Sequence, residues 1–293
     1  MRPNIVFILL DAARADALSC YGNSNETTPF VDSLAESGVR YDRAYSNSIW
    51  SLPAYGSLFT GEYPSQHGAV DWNRRIDENS LVSGLNDEGY ATKAVSSHLV
   101  CGEFGIADAF DELEWISVPG LHIPFPDDPV LDRIQERKQG GGWGSKADFV
   151  KDVAAWTASE RSPQTVANGI HHAYRRLRES RGWWRDDGAT DIVDSMCEFA
   201  EQMSQPFFLF GNFVETHGPY RPPRKHIRRF VSDDVTMAEM NEAIEIDFID
   251  VILGDATITD RQRQILRDLY DAELYYLDTK IAELHRGLAD AGV

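Results

Sequence analysis

The stretch NIVFILLD, residues 4–11, decides the fold class of this chain. Its six consecutive apolar residues are typical of a strand that is buried on both faces, as in a parallel sheet. A second strongly apolar run extends over residues 206–214, and residues 91–96 are a third candidate strand. Because each run is short and polar residues follow it, these segments predict buried strands rather than membrane helices.

Helical segments alternate with these strands. Thr28 and Pro29 predict a helix start and Gly38 predicts its end, because Thr can cap a helix, Pro favours the first position and Gly follows the last. Residues 39–45 alternate in polarity and are predicted to form a strand. Further helices are predicted at 53–59, 81–89, 162–177, 192–203 and from Thr259 onward. The order β-α-β-α-α-β predicts an α/β fold with a mostly parallel sheet.

The charge of the chain excludes some functions. Its 293 residues include 47 acidic and 28 basic side chains, which gives a net charge of −19 at pH 7. Such a surface repels phosphate and argues against nucleic-acid binding. The acidic excess is spread along the chain, which favours a halophilic protein, with ordinary acidic solubility as the alternative. No long apolar run and no signal-peptide pattern occur, so we expect no membrane segment and a cytoplasmic location.

Polar residues stand at the ends of predicted strands or at a helix start, where α/β proteins bind ligands. Asp11 follows the first strand, and its carboxylate can bind a divalent metal or cap a turn. Ser51 precedes a predicted helix, where its hydroxyl can cap that helix or, activated by a metal, attack a bound anion. His217 follows the strand at 206–214, and it can bind an anionic ester, protonate a leaving group or be a surface histidine. Residue type and position alone leave these alternatives open.

Short motifs follow one another in a fixed order over nearly the whole chain. They are residues 2–16, Tyr21-Gly22, Thr27-Thr28-Pro29, Ser51-x-Pro53-Ala54 with Leu58-x-Thr60-Gly61, Tyr63-Pro64, His67-Gly68, Gly89-Tyr90 with His98, residues 207–220, and residues 270–278. Each motif is weak alone, but the ordered set resembles the sulfatase family of the alkaline phosphatase superfamily. The resemblance implies an alkaline-phosphatase-like α/β fold with helices on both faces of the sheet.

The resemblance also implies roles for four residues. Asp11 and Ser51 are expected to bind the metal, which is usually Ca²⁺ in sulfatases, and Ser51 stands at the position of the nucleophile. His98 and His217 match histidines that contact the sulfate or the leaving oxygen. The implied reaction is attack on a sulfate monoester of a small molecule or glycan, with in-line displacement of the alcohol.

Three positions depart from the family pattern. Ala12 replaces a second acidic metal ligand, Ser96 replaces a lysine two residues before His98, and Tyr55 replaces an arginine that directs conversion of the nucleophile to formylglycine. The change at Tyr55 argues against formylglycine and leaves Ser51 as a plain alkoxide. An alkoxide also suits a phosphoesterase or phospho-transferase, for which Mg²⁺, Mn²⁺ or Zn²⁺ is the expected metal.

The C-terminal end of the chain also departs from that pattern. The family continues into an Asp-His-Gly strand that supplies further metal ligands, and this motif does not occur in the sequence. We therefore expect residues 1–293 to form one sulfatase-like domain that is incomplete at its C-terminal end. It is either a fragment or a shortened, catalytically inactive anion-binding member. Clustered prolines and glycines predict a loop insertion at 118–147. No pattern indicates the oligomeric state.

Overall fold

The structure is a computed structural model that describes residues 2–70, 80–98, 106–116, 151–152, 155, 186, 188–204, 206–246 and 248–293. The sheet and the candidate site belong to one compact unit, formed by Met1–Ile116 and Trp184–Val293. The predicted insertion at 118–147 and the predicted helix at 162–177 lie outside the described residues. A single domain over residues 1–293 stays a prediction.

Among the described residues, four parallel strands form the sheet. They are β1 (Ile5–Leu10), β2 (Ala91–Ser96), β3 (Glu112–Trp115) and β4 (Phe207–Phe213). Their order across the sheet is β1-β4-β2-β3, so β4 lies between β1 and β2. Ile5 is opposite Phe208, and Ala91 is opposite Phe207. The parallel sheet and three of its strands confirm the sequence prediction, which has no counterpart of β3.

Helices connect the strands and cover them. In the described ranges they are α1 (Pro29–Ser37), α2 (Ser51–Thr60), α3 (Pro64–His67), α4 (Leu81–Asp87), α5 (Ile106–Ala109), α6 (Ala189–Gln202), α7 (Arg224–Phe230), α8 (Met237–Ile244), α9 (Phe248–Leu253) and α10 (Asp260–Asp290). The predictions that correspond to α1, α2, α4, α6 and α10 are confirmed, with ends that differ by a few residues. None of these helices combines the length and the apolar character that a membrane crossing requires.

Helices pack on both faces of the sheet because alternate strand residues point to opposite sides. Phe207, Leu209 and Phe213 of β4 pack with α6 and α10 on one face. Phe208 and Phe210 pack with α2 and α4 on the other face. All five side chains are almost completely buried, and each contributes about 1.5–3 kcal/mol to folding. The α/β architecture that the family resemblance implies is confirmed.

Residues 39–45 do not form a strand, although their alternating polarity predicts one. They are turn and irregular backbone, and the side chains of Val39, Tyr41 and Tyr45 are 80%, 72% and 83% exposed. A strand needs a neighbour that completes its backbone hydrogen bonds. In the described part of the chain no strand pairs with this segment. The prediction is therefore wrong, because alternation alone does not supply a partner.

The carboxyl ends of β1, β4 and β2 lie side by side at one edge of the sheet, since the three strands are parallel neighbours. Asp11 directly follows β1, residues 214–217 follow β4, and His98 is two residues beyond β2. The edge of the sheet therefore gathers chemically active residues that are far apart in sequence.

Candidate active site

The turn after β1 presents Asp11 at the edge of the sheet. The backbone N–H of Asp11 donates to the carbonyl of Phe213 at 2.8 Å, so β1 and β4 stay paired to their ends. The hydroxyl of Thr216 donates to the carbonyl of Asp11 at 2.5 Å. Ala12 has a φ of 58°, a left-handed conformation that is strained for a residue with a side chain. The chain thus turns sharply just after Asp11, whose side chain lines a cavity.

The Asp11 carboxylate is nearly buried and is not fully satisfied by hydrogen bonds. Its side chain is 11% exposed. Oδ1 accepts a long hydrogen bond of 3.5 Å from Ser51 Oγ. Oδ2 is buried without a hydrogen-bond partner and lies 3.6 Å from Nε2 of His98. Burial of an unsatisfied carboxylate oxygen is costly unless a positive charge compensates it. Asp11 therefore fits the role of one ligand to a cation.

The described residues include two of the oxygen ligands that a metal site would need. In these ranges no three His, Cys, Asp or Glu side chains are arranged to hold a metal ion. A Ca²⁺ ion takes about 6–8 oxygen ligands. Asp11 and Ser51 offer a carboxylate and a hydroxyl, whereas Ala12 offers no side-chain oxygen. The two residues that the resemblance assigns to a metal are therefore neighbours, and a full coordination shell would need further oxygen ligands.

Ser51 is the first residue of α2 and does not cap it. The cap position is occupied by Trp50, and no side-chain cap bond is present. The Ser51 hydroxyl instead points to Asp11. The first-turn N–H groups of a helix lack intrahelical partners and have a positive partial charge, so this helix start favours a bound anion. Of the two alternatives for Ser51, the structure excludes the helix cap.

His98 is held by contacts to its ring and to its backbone. Its side chain is 18% exposed, and its ring stacks on that of Tyr55 with 5.8 Å between centroids. The His98 backbone N–H donates to Ser96 Oγ at 3.0 Å, and Ser96 Oγ donates to Asn212 Oδ1 at 2.8 Å. Ser96, which stands where the family has a lysine, thus supports the loop after β2 and supplies no positive charge.

His217 is exposed, and its ring orientation follows from one hydrogen bond. Nδ1 lies 2.8 Å from the carbonyl of Gly218. A carbonyl only accepts, so Nδ1 bears the proton, and Nε2 of the neutral ring is an acceptor. His217 must therefore gain a second proton before Nε2 can protonate a leaving group.

One cavity of about 930 Å³ brings the predicted residues together. Asp11, Ser51, His98 and His217 all line it. Its described lining also includes the aromatic side chains of Tyr45, Trp50 and Tyr55, and within that lining there is no Arg or Lys. Within the described lining, the histidine rings and the start of α2 are the groups that can supply positive charge.

Three residues support the site although the sequence analysis assigns none of them a role. Asn212 and Thr216 contact Ser96 and the Asp11 carbonyl, and Tyr270 of α10 bonds the turn after Asp11. Asn212 could be recognised from the sequence, because it is a polar residue within the otherwise apolar strand FFLFGNF. Tyr270 belongs to the motif at residues 270–278, but it also lies among the apolar positions of α10, so the sequence does not indicate its contact with the turn.

The fold and the site define an α/β protein with a serine hydroxyl and a carboxylate at the carboxyl edge of a parallel sheet. A family model described as Sulfatase matches residues 3–293. The chain belongs to the sulfatase family.

Individual relatives agree with this membership. The N-acetylgalactosamine-6-O-sulfatase of Bacteroides thetaiotaomicron is 26% identical over 255 residues, covering 75% of this chain and 49% of that protein. An arylsulfatase of Clostridium perfringens is 24% identical over 243 residues, covering 80% and 47%. The chain spans about half the length of the curated relatives it matches.

A solved structure supports the fold. The phosphonate monoester hydrolase of Agrobacterium radiobacter superposes with a TM-score of 0.60 at 17% identity. The match covers 99% of this chain and 60% of that chain. At this identity the similarity concerns the fold alone.

Proposed function

We propose that this chain is the catalytic region of a sulfuric ester hydrolase in which Ser51 is the nucleophile. The observation that supports it is the placement of Ser51 Oγ at the start of α2, 3.5 Å from Asp11 Oδ1, in a cavity that His98 and His217 also line. Membership of the sulfatase family supplies the reaction class.

In this reaction Ser51 Oγ attacks the sulfur of a sulfate monoester. A bond forms between Oγ and sulfur while the bond from sulfur to the alcohol oxygen breaks. Asp11 Oδ1, which accepts the hydrogen bond of the hydroxyl, is placed to take its proton. The departing oxygen takes a proton from His98 or from His217 in its protonated form. Water then hydrolyses the ester on Ser51 and releases sulfate.

Negative oxygens must be stabilised during this transfer. The start of α2 contributes positive partial charge, and the sulfatase family generally uses a divalent metal. The ion proposed here is Ca²⁺, with Asp11 and Ser51 among its ligands. When bound, it would neutralise charge on the ester and lower the pKa of the Ser51 hydroxyl.

A phosphoesterase or phospho-transferase is the second candidate. It is favoured by Tyr55, which stands where sulfatases have the arginine that directs formylglycine formation, so that Ser51 acts as a plain serine. Mg²⁺, Mn²⁺ or Zn²⁺ would then replace Ca²⁺. A third candidate is a sulfatase-family protein that binds anions without turnover.

Turnover measurements on three variants test the proposal. Ser51→Ala is expected to abolish hydrolysis of an aryl sulfate, and Asp11→Ala is expected to abolish the metal-dependent activity. Ser37→Ala is the control, because Ser37 is an exposed serine of α1 that does not line the cavity. Circular dichroism verifies that each variant is folded. Undiminished turnover in Ser51→Ala contradicts the assignment of the nucleophile.

Substrate and metal are varied together to separate the candidates. Turnover of the aryl sulfate with Ca²⁺ supports the sulfatase. Turnover of a phosphate or phosphonate ester with Zn²⁺, Mn²⁺ or Mg²⁺, without sulfate turnover, supports the second candidate. A folded chain that turns over neither ester supports an anion-binding role.

A further inference from the structure

The turn that presents Asp11 is strained and closed by few local contacts. Ala12 has a φ of 58°, which is disfavoured for every residue with a Cβ atom. Within the turn, the N–H of Ala13 donates to the carbonyl of Leu10 at 3.3 Å, a long hydrogen bond. Such a conformation persists only where surrounding structure holds it.

Tyr270 of α10 holds this turn from a distant part of the chain. Its hydroxyl donates to the carbonyl of Ala12 at 2.9 Å and accepts from the N–H of Arg14 at 2.9 Å. A phenol has one hydrogen to donate and lone pairs to accept, so both bonds form together. The Tyr270 side chain is buried, and its ring packs edge-on against Tyr220 at 5.0 Å. The Tyr270 hydroxyl thus joins the carbonyl of Ala12 to the N–H of Arg14.

Burial raises the pKa of Tyr270 to about 12. The phenol therefore keeps its proton at ordinary pH and remains able to donate to the Ala12 carbonyl.

We propose that Tyr270 is a positioning residue of the active site, whose hydroxyl keeps Ala12 left-handed and so holds the Asp11 carboxylate beside Ser51 and His98. Without the phenol oxygen, Ala12 relaxes toward a common conformation and the turn shifts. The inference rests on the proposed function in one respect, namely that Asp11 is a metal ligand. A residue of α10 then tunes metal affinity without touching the metal.

Three variants of the full chain test this inference. Tyr270→Phe removes the phenol oxygen and keeps the ring. The double variant Tyr270→Phe with Ala12→Gly removes the strain as well, because glycine adopts left-handed φ freely. Tyr275→Phe is the matched control, since Tyr275 lies on the same helix and its ring packs on Phe230 of α7.

Two measurements are made on each variant. Amide hydrogen exchange at Ala13, followed by NMR, reports the turn itself, and calorimetric titration with Ca²⁺ reports the consequence. Tyr270→Phe is expected to speed Ala13 exchange about tenfold and to weaken Ca²⁺ binding about tenfold. The double variant is expected to restore both values, and Tyr275→Phe to change neither. In the unmodified protein, the Arg14 amide is expected to be protected by the phenol oxygen.

Each outcome decides the inference. Unchanged Ala13 exchange in Tyr270→Phe overturns it, whatever happens to Ca²⁺. Accelerated exchange that glycine at position 12 does not restore also overturns it, because the effect then arises from packing. An unprotected Arg14 amide in the unmodified protein overturns it even if Tyr270→Phe fails to fold. If the unmodified chain binds no Ca²⁺ but exchange follows the expected pattern, the metal role of Asp11 fails and the positioning of the turn stands.

Discussion

Acid is expected to destabilise this protein through one buried histidine. His226 of α7 is 5% exposed, and its Nε2 is buried without a hydrogen-bond partner. Its ring packs against those of Tyr275 and Tyr276, with centroid distances of 5.6 and 5.3 Å. Burial first, and then the nearby charges of Lys225 and Lys280, lower the pKa of His226 from 6.5 to about 4. The folded protein therefore keeps this ring neutral.

The size of the effect follows from proton linkage. Between pH 6.5 and about 4 the unfolded chain binds a proton at His226 that the folded chain does not. The free energy of unfolding must therefore fall as pH falls through this window. Because one pH unit corresponds to about 1.4 kcal/mol, His226 alone accounts for a loss of about 3 kcal/mol over the whole window.

Urea unfolding at a series of pH values between about 7 and about 4 measures this loss. The comparison is with His226→Phe, which keeps an aromatic ring among the tyrosines but does not titrate. Other groups contribute equally to both proteins, so the difference between the two curves isolates His226. The variant is expected to lose about 3 kcal/mol less than the unmodified protein on acidification. Parallel curves refute the reasoning.

Three further predictions concern helix packing, capping and charge. Gly56→Ala places a Cβ atom 2.6 Å from the ring of His67 and is expected to lower the free energy of unfolding by about 1–3 kcal/mol. Gly84→Ala meets nothing within 4 Å and is expected to raise that free energy by up to about 1 kcal/mol, so equal urea midpoints for the two variants would contradict this prediction. The Asp278 carboxylate accepts hydrogen bonds from the N–H groups of Phe30 and Val31 at 2.9 and 2.8 Å, so Asp278→Ala is expected to lower the free energy of unfolding by about 2–4 kcal/mol and Asp278→Asn by less. Calorimetry that shows no loss of stability in either variant would contradict the role of Asp278 as the cap of α1. If the net charge of −19 reflects adaptation to salt, screening of its self-repulsion is expected to raise the Tm by more than about 3 °C in molar KCl compared with low salt. A Tm that does not depend on salt argues against that adaptation.

The sequence predicts well the strands that helices cover on both faces of the sheet. Residues 5–10 and 207–213 have helices on both sides, so their side chains are almost continuously apolar, which is a local and visible pattern. The alternation at residues 39–45 is just as visible, but it fails because strand formation depends on a partner. Partner choice is a property of the whole sheet and leaves no local trace.

The site shows the same division between local and distant causes. Asp11 and His217 can be located from sequence because they lie within a few residues of strand ends, and the carboxyl ends of these strands meet at one edge of the sheet. The cap of α1 cannot be predicted in this way. Thr28 occupies the cap position without a side-chain cap bond, and Asp278 from α10 accepts the N–H groups instead. The bonds from Tyr270 to the Asp11 turn are hidden for the same reason.

The measurement that most directly tests the central claim is peptide mapping of the protein by mass spectrometry after rapid acid quenching of its reaction with an aryl sulfate. The account predicts unmodified Ser51 before the reaction and a sulfate ester on Ser51 during turnover. Turnover with the transferred group on another residue, or with position 51 already converted to formylglycine, would contradict the plain-serine mechanism.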